Sequence, residues 1–489
     1  MINRMVLFGA TGDLAGRFLL PALASMRAAG TLPDEFVVIG AARQDWDDER
    51  FRNHAAERLA QNAPRVSNAT REALVRSLRY RTIDVADAGS VSDLIRDAAS
   101  FDITNSTGGG PVLAYLALPP ATFPATVTAL GSARMPPGSR IALEKPFGES
   151  LSSAIALNAL VRKVIGRDAE RIVFRVDHVL GMGTTQNLLA MRLANRALDA
   201  MWCGTHVEQV DVLWEETLAL EGRAGYYDGA GALKDVMQNH MLQVLALVAM
   251  EPPVSLDEDE LHDRKVEVLR SVRPLQPEDM RSRTRRARYT AGQVAGSNGQ
   301  PGRRVPSYVD EEGVDPTRRT ETFAEMVLEL DSRRWAGTKF VLRAGKAMRT
   351  RWKGVVLRFR PLSHFAPNEM RIGLDGPCEL TLQLTSGFPK SQADWTPVTL
   401  TAPAPPADLP PYGNVLRDIL QGGSLLSVRG DEAEAAWRVV MPVIEAWSDG
   451  LVPLEEYEAG SAGPPALLAG AEPRAQPARR ALGDASAPA

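Results

Sequence analysis

Two constellations in this chain carry residues whose types and spacing could do chemistry. The first is Gly9-Ala10-Thr11-Gly12-Asp13-Leu14-Ala15, which follows the apolar run Met5–Phe8 and opens a helical pattern. That is the context a dinucleotide fingerprint requires. Gly9 permits a tight turn, Gly12 lets backbone approach a pyrophosphate, and Ala15 allows close helix–strand packing. The helix start supplies N–H donors and the positive end of a dipole for the anion. An ordinary glycine turn would show the same spacing. A second apolar run, Phe36–Ala42, ends in Arg43-Gln44. An acid there would grip a ribose hydroxyl, whereas Arg43 suits a 2′-phosphate, so NADP is favoured over NAD even with Asp45 nearby.

The second constellation is dispersed. Lys145 lies in ALEKPFGES just past a buried-strand candidate, Asp177 and His178 end another in FRVDHVLGM, and Asp235 and His240 lie in LKDVMQNHMLQV. Each has a bland reading. His240 shares a face with Val236, Met237, Met241 and Val244 at α-helical spacing, which suits a core histidine. Asp177 and His178 could pair at a strand end, and Lys145 could be solvated. Together they suggest more. Oxidising an alcohol by hydride transfer needs a base for the hydroxyl proton, and a histidine titrating near neutrality suits that task. A carboxylate beside it would hold its tautomer and stabilise the imidazolium. Spacing alone does not show that Asp177 and His240 meet.

The elements that must position these residues change in texture along the chain. Helical stretches at Leu14–Arg27 (with a bend expected at Pro21), Asp47–Leu59, Ala69–Leu78 and Leu151–Ile165 separate short apolar runs. Those runs include Val112–Leu118, Ile141–Leu143 and Ile172–Val179, a pattern that predicts a parallel, doubly wound sheet. Further on, Val207–Trp214 and Phe323–Leu330 alternate apolar and polar residues, as half-buried antiparallel strands do. Phe340–Arg343, Val355–Arg360 and Cys378–Leu384 are further strand candidates. One long apolar helix, Leu233–Met250, ends at Pro252-Pro253. Segments 291–306 and 402–411 read as loops, and the Ala/Gly/Pro-rich end, 466–489, as a disordered tail.

Composition bounds the rest. The 489 residues, 44% hydrophobic and 24% charged, suit a folded chain of two or three domains and exclude a coiled-coil rod or a chain disordered throughout. A net charge of −4 offers no bulk attraction to nucleic acid or an anionic membrane, so neither is expected as a partner. Two cysteines, Cys203 and Cys378, suggest a reducing compartment, and no metal-ligand spacing appears, so no metal is expected. No apolar run approaches a membrane span. Asp13 and Arg17 interrupt what faintly resembles a signal peptide. A cytoplasmic location is expected.

Longer blocks carry a family resemblance. They are GATGDLA, YLALPP (Tyr115–Pro120), EKPFG (Glu144–Gly148), RVDHVLG (Arg175–Gly181), QNLLAMRLANR (Gln186–Arg196), the run Gly222–Pro253, TETF (Thr320–Phe323), RWAG (Arg334–Gly337), RAGKAM (Arg343–Met348) and DEAEAAW (Asp431–Trp437). In these blocks and their order the chain resembles the glucose-6-phosphate dehydrogenase family. The resemblance implies an α/β Rossmann domain followed by a large α+β domain with a mostly antiparallel sheet. The boundaries are 1–170 for the NADP-binding domain and 171–465 for the substrate-binding and dimerisation domain. It implies oxidation of glucose 6-phosphate at C1 to the lactone, with hydride passed to NADP, by a homodimer or homotetramer. His240 would be the general base and Asp177 its carboxylate partner. Lys145, ahead of a cis bond to Pro146, would lie by the sugar and the nicotinamide. Glu216, Asp235 and Lys346 would bind sugar hydroxyls, and His178 and Arg351 would face the 6-phosphate. Gly9, Thr11, Gly12, Asp13, Leu14, Arg43 and Gln44 would hold NADP.

The chain departs from the family where the phosphate is gripped. The family block DHYLGKE reads here Asp177-His178-Val179-Leu180-Gly181-Met182-Gly183. After GDLA the family carries basic residues, the third a substrate-side lysine; here the order is Gly16, Arg17, Phe18. Three polar groups are thus replaced by apolar ones, and an apolar wall is expected where the phosphate would sit. Two further readings follow: the same chemistry on an unphosphorylated or 6-modified hexose, or a catalytically silent, NADP-binding regulatory protein. The complete set of base, carboxylate and hydroxyl-binding residues argues against the silent protein.

Overall fold

In a computed structural model of the chain, residues 1–33, 35–100, 110–222, 224–296, 302–362, 367–375, 379–387, 395–403 and 407–468 are described. The run before Gly9 is β1 (Arg4–Phe8), buried at every position. It lies in a sheet with β2 (Val37–Ala42), β3 (Leu78–Thr82), β4 (Leu113–Leu116), β5 (Arg140–Glu144) and β6 (Val173–Val176), all parallel. The order β3-β2-β1-β4-β5-β6 is extended beyond β6 by the antiparallel pair of residues Ser427–Val428. This is the doubly wound arrangement, and its crevice opens where the order reverses between β1 and β4. Of these strands, β3 is the one without an apolar run: Arg79 and Arg81 interrupt it, which an edge strand tolerates. The helices Ala88–Ser100 and Phe123–Ser132 also went unforeseen.

The second sheet contains β7 (Val207–Glu215), β8 (Thr284–Thr290), β11 (Phe323–Leu328), β12 (Lys339–Gly345), β13 (Trp352–Phe359), β14 (Glu369–Gly373), β15 (Glu379–Ser386) and β16 (Thr396–Pro403). Between β8 and β11 lies the hairpin β9 (Gly292–Val294) and β10 (Arg303–Val305), so the expected loop at 291–306 is in part a hairpin. Counting Ser427–Val428 as β17, the last strand is β18 (Leu454–Glu458), paired to β8. Pairing in this sheet is antiparallel except for β7 with β12 and β8 with β18.

The expectation of half-buried strands fails at β7 and β11, which are buried on both faces. Apart from the exposed Glu208 and from Gln209, which donates to Asp211, their polar residues are in buried ion pairs rather than in water. Arg343 of β12 binds Glu215 at 3.1 Å and Glu325 at 3.3 Å, and Arg358 of β13 binds Asp211 at 2.7 Å and also Glu369. The chain end seals this layer. Arg343 donates to the carbonyls of Ala462 and Pro464, Leu467 N–H donates to Glu325, and Leu467 and Leu468 pack on Val327 and Val341. Residues 466–468 are therefore packed, contrary to a tail disordered from 466; residues 469–489, like Cys378, lie outside the described residues.

The long apolar helix forms in two registers, a π-helix over Leu233–Met241 and an α-helix over Leu242–Ala249. The α-helical period read around His240 is therefore replaced by a wider one, while Val236, Met237, Met241 and Val244 are buried with it. The wider i→i+5 turn brings residues five apart closer to a common face than an α-helix does, and Asp235 is among the charges acting on His240. The first helix is likewise split, into a π-turn Ala15–Leu19 and an α-helix Leu20–Ala28 whose early position is Pro21. No helix among the described residues is long and apolar enough to cross a membrane.

Candidate active site

Gly9 follows β1 with φ 78°, and a Cβ there would lie 2.1 Å from the carbonyl oxygen of Ala117. Only glycine fits this turn. A Cβ on Gly12 would come within 3.1 Å of the Gly9 carbonyl oxygen, so the backbone here forms a tight cradle before Ala15, which is fully buried. Thr11 donates to the Gln44 side chain at 2.9 Å, tying this loop to the end of β2. Asp13 pairs with Arg17 at 3.2 Å, and Leu14 packs partly against the core. Arg43 follows β2 directly, is exposed, and makes no ion pair among the described residues. The cradle and the uncommitted Arg43 fit a dinucleotide bearing a 2′-phosphate.

The second constellation converges at the end of the same crevice. Lys145 follows β5 and precedes a cis bond to Pro146. Its Nζ donates to the Asp235 carbonyl at 2.7 Å and to the Asp235 carboxylate at 3.3 Å, so it is not solvated. The loop after it is held by Trp437, whose indole donates to the Phe147 carbonyl at 3.3 Å from helix Gly430–Ser448. Behind Lys145, Glu144 accepts a hydrogen bond from Tyr115, and burial raises its pKa to about 7.

Asp177 follows β6 and is fully buried. Its Oδ1 accepts from the Val179 N–H at 3.1 Å and faces Nδ1 of His240 at 2.5 Å. Burial opposes ionisation of Asp177, but the facing His240 outweighs it and brings the carboxyl to about 2. Burial also lowers the pKa of His240, against the pull of Asp177. The resting pair is a carboxylate and a neutral imidazole. Nδ1–H donates to Asp177, which leaves the Nε2 lone pair as a base. The juxtaposition that sequence spacing left open is thus present.

His178 meets His240 edge-on at 4.6 Å between ring centroids. Burial pushes its pKa down to about 3, so it is neutral as well. Asp177, His178 and His240 are also the one set of metal-type side chains grouped among the described residues, with candidate atoms within 4.8 Å of one another.

The hydroxyl-binding candidates gather beside the dyad. Glu216, just past β7, accepts from Lys346 at 2.8 Å and from Lys353 at 2.8 Å, and these two ammonium groups outweigh burial and hold its pKa well below the usual carboxylate range. Asp235 is kept low in the same way by Lys145, against burial. Arg351 is not drawn into this group. It is 56% exposed and pairs with Asp375 at 2.5 Å.

The expected apolar wall is also absent in the form foreseen. Val179 is fully buried in the core and lines nothing, and Met182 packs partly against that core. Phe18 is exposed and meets the Tyr412 ring at a tilt, 5.6 Å between centroids.

Three side chains at the site were not anticipated. Tyr412, near the start of helix Pro411–Gln421, stacks on His178 at 5.2 Å. Trp214 of β7 stacks on His240 at 5.5 Å. Lys353 of β13 lies over the Trp214 ring at 4.5 Å. A proline-led helix start announced the element carrying Tyr412, but nothing local announces which ring it meets, and a strand lysine ordinarily faces solvent.

Known proteins match this arrangement over nearly the whole chain. The family model described as glucose-6-phosphate dehydrogenase, NAD binding domain, matches residues 6–187, and that for the C-terminal domain matches residues 189–475. Glucose-6-phosphate 1-dehydrogenase 2 of Mycobacterium tuberculosis is 37% identical over 487 aligned residues, covering 95% of this chain and 92% of that protein. Glucose-6-phosphate 1-dehydrogenase of Gluconobacter oxydans is 35% identical, with 94% of each chain covered. Among solved structures, a glucose-6-phosphate dehydrogenase in complex with its substrate glucose-6-phosphate superposes with a TM-score of 0.85 at 28% identity, over 95% of this chain and 96% of that one. The glucose-6-phosphate 1-dehydrogenase of Mycobacterium avium superposes with a TM-score of 0.79 at 32% identity, over the same shares. With both domains matched end to end around the His240–Asp177 pair, the chain belongs to the glucose-6-phosphate dehydrogenase family.

Proposed function

We propose that this chain oxidises glucose 6-phosphate at C1 to 6-phosphogluconolactone, with NADP as the hydride acceptor. The observation that carries this reading is the buried His240–Asp177 pair, at 2.5 Å, beside Lys145, Asp235, Glu216 and Lys346. His240 Nε2 takes the proton of the C1 hydroxyl. The Asp177 carboxylate then stabilises the imidazolium across Nδ1. Asp235, Glu216 and Lys346 hydrogen-bond the ring hydroxyls, and Lys145 orients the sugar against the dinucleotide. The Gly9–Leu14 cradle with Thr11, Arg43 and Gln44 would hold NADP, which when bound would supply the acceptor for the C1 hydride. In this scheme residues 1–170 carry the dinucleotide and 171–465 the sugar.

Assembly as a homodimer or homotetramer is part of the same proposal. Exposed Val398 and Leu400 on the edge strand β16 support it. So is a cytoplasmic location, which suits a chain with few cysteines. The matched relatives are named for glucose 6-phosphate, which favours the phosphorylated sugar over an unphosphorylated one. Initial rates of NADP and NAD reduction with glucose 6-phosphate, glucose and other hexoses test the reading. In the same assay His240→Asn should lower kcat by about 10²–10⁴. A folded His240→Asn protein with near-full activity would return His240 to the core.

A further inference from the structure

We propose that Lys353 is the cation that receives the 6-phosphate of the sugar, in place of the polar side chains this chain lacks at Val179 and Met182. The proposal rests on the glucose 6-phosphate reading above. A phosphate dianion needs charge as well as donors, and the obvious sources fail to supply it. Val179 is sealed in the core. Arg17 is tied to Asp13, and Arg351 is turned outward to Asp375. His178 is neutral, held so first by burial and then by His240, so it brings hydrogen bonding but no charge.

Lys353 is placed differently. Its side chain is only 14% exposed, against 56% for Arg351 two residues earlier. In the register of the sheet Lys353 sits opposite Trp214, so both project from the same face. Its ammonium lies 2.8 Å from Glu216 Oε1 and 4.5 Å from the centre of the Trp214 ring. That same indole stacks on His240 at 5.5 Å, and His240 touches His178. Lys353 is also among the charges that depress the pKa of His178. The lysine therefore stands between the carboxylate assigned to the sugar hydroxyls and the histidine pair.

Charge arithmetic points the same way. Glu216 carries one negative charge and binds two ammonium groups, Lys346 and Lys353. Asp375, at 3.9 Å from Lys353, is itself engaged by Arg351 at 2.5 Å. Lys145 and Asp235 balance each other. The Lys346–Glu216–Lys353 group thus has a surplus positive charge in a largely water-excluded place. Lys353 has three N–H donors, of which Glu216 takes one. A phosphate would satisfy both the surplus charge and the remaining donors.

The test compares kcat/KM for glucose 6-phosphate and for glucose in the unmodified protein, Lys353→Met, Lys353→Arg and Arg351→Ala. Lys353→Met should lose about 10- to 100-fold with glucose 6-phosphate, the worth of a hydrogen bond to a charged group. The loss should appear mainly in KM, and it should exceed by at least tenfold any loss with glucose that follows from removing the ion pair to Glu216. Retained glucose oxidation shows that the variant is folded. Lys353→Arg should recover most of the loss. Equal losses on both sugars would overturn the proposal and make Lys353 a positioning residue for Glu216. A larger selective loss in Arg351→Ala would move the role to Arg351. An unmodified protein that turns over glucose but not glucose 6-phosphate refutes the functional reading itself, a result distinct from either of these.

Discussion

Replacing Asp177 by asparagine tests the catalytic pair most directly, because the structure determines which part of the interaction is lost. Oδ1 of Asp177 accepts both the Val179 N–H, at 3.1 Å, and the His240 Nδ1–H, at 2.5 Å. Oδ2 is buried and has no hydrogen-bond partner among the described residues. An asparagine keeps both bonds only by placing its carbonyl oxygen where Oδ1 is. Its NH2 group then falls in the unpartnered Oδ2 position. The His240 tautomer survives, and what disappears is the charge facing the imidazolium.

A hydrogen bond to a charged group is worth about 1.5–3 kcal/mol, so kcat should fall by about 10- to 150-fold rather than the 10⁴ expected from a flipped tautomer. The buried, unpaired NH2 should also cost about 1–3 kcal/mol of stability. Asp177 is the largest influence raising the pKa of His240 against burial. Without it the imidazole is harder to protonate, so the acid limb of kcat/KM should move to lower pH while the plateau drops. Stopped-flow or steady-state pH profiles of the two proteins decide the matter. A plateau within threefold of the unmodified enzyme, or an acid limb displaced to higher pH, would refute this account of the dyad.

Arg43→Ala should raise the NADP KM by about 10- to 100-fold and leave NAD nearly unchanged, since Arg43 makes no ion pair among the described residues; equal damage with both dinucleotides would make Arg43 structural. Gly9→Ala should lower Tm and abolish dinucleotide binding, because its Cβ would sit 2.1 Å from a carbonyl oxygen at φ 78°; unchanged NADP titration would contradict the cradle. Glu432, fully buried against Lys265 at 2.9 Å and His262 at 2.5 Å, has its pKa brought to about 2: burial opposes this, and Lys265 and His262 overcome it. Its contribution, about 3 kcal/mol, is present above the ordinary carboxyl value of 4.5 and lost as pH falls toward 2. Glu432→Gln should therefore lower Tm at pH 7 and flatten its fall between pH 4.5 and pH 2; parallel Tm curves would count against this role.

Features legible before folding are those whose physics is local. The Gly9 turn is one: φ 78° and the approach of Ala117 exclude every side chain, so the requirement is written in a single position. Fully buried parallel strands are another. Runs such as Val112–Leu118 and Ile141–Leu143 must be hydrophobic on both faces, and β4 and β5 formed there. The same rule hid β3, whose edge position lets arginines into it. The alternation in β7 misled because polar residues on one face ordinarily mean water. Here Asp211 and Glu215 meet Arg358 and Arg343 instead, a pairing between strands that only the folded sheet assembles.

The site divides along the same line. The kinds of group needed for the reaction were readable as a histidine, carboxylates and lysines in distinctive blocks. Their meeting was not, because Asp177 and His240 are 63 residues apart and no local spacing relates a strand end to a helix face. The π-helical register over Leu233–Met241 that brings Asp235 and His240 closer to one face is a product of packing, not of the α-helical period the residues suggest. Lys353 and Arg351 both lie just beyond the RAGKAM block and carry the same charge. Lys353 falls inside β13 opposite Trp214, with Glu216 and Trp214 against it, whereas Arg351 lies just before the strand and pairs with Asp375. Sequence by itself determined the chemical inventory and the backbone turn for the dinucleotide, since these depend on residue type alone. Tertiary structure decided which charges are buried, paired or left over, because desolvation and Coulomb energy depend on distances that no stretch of chain contains.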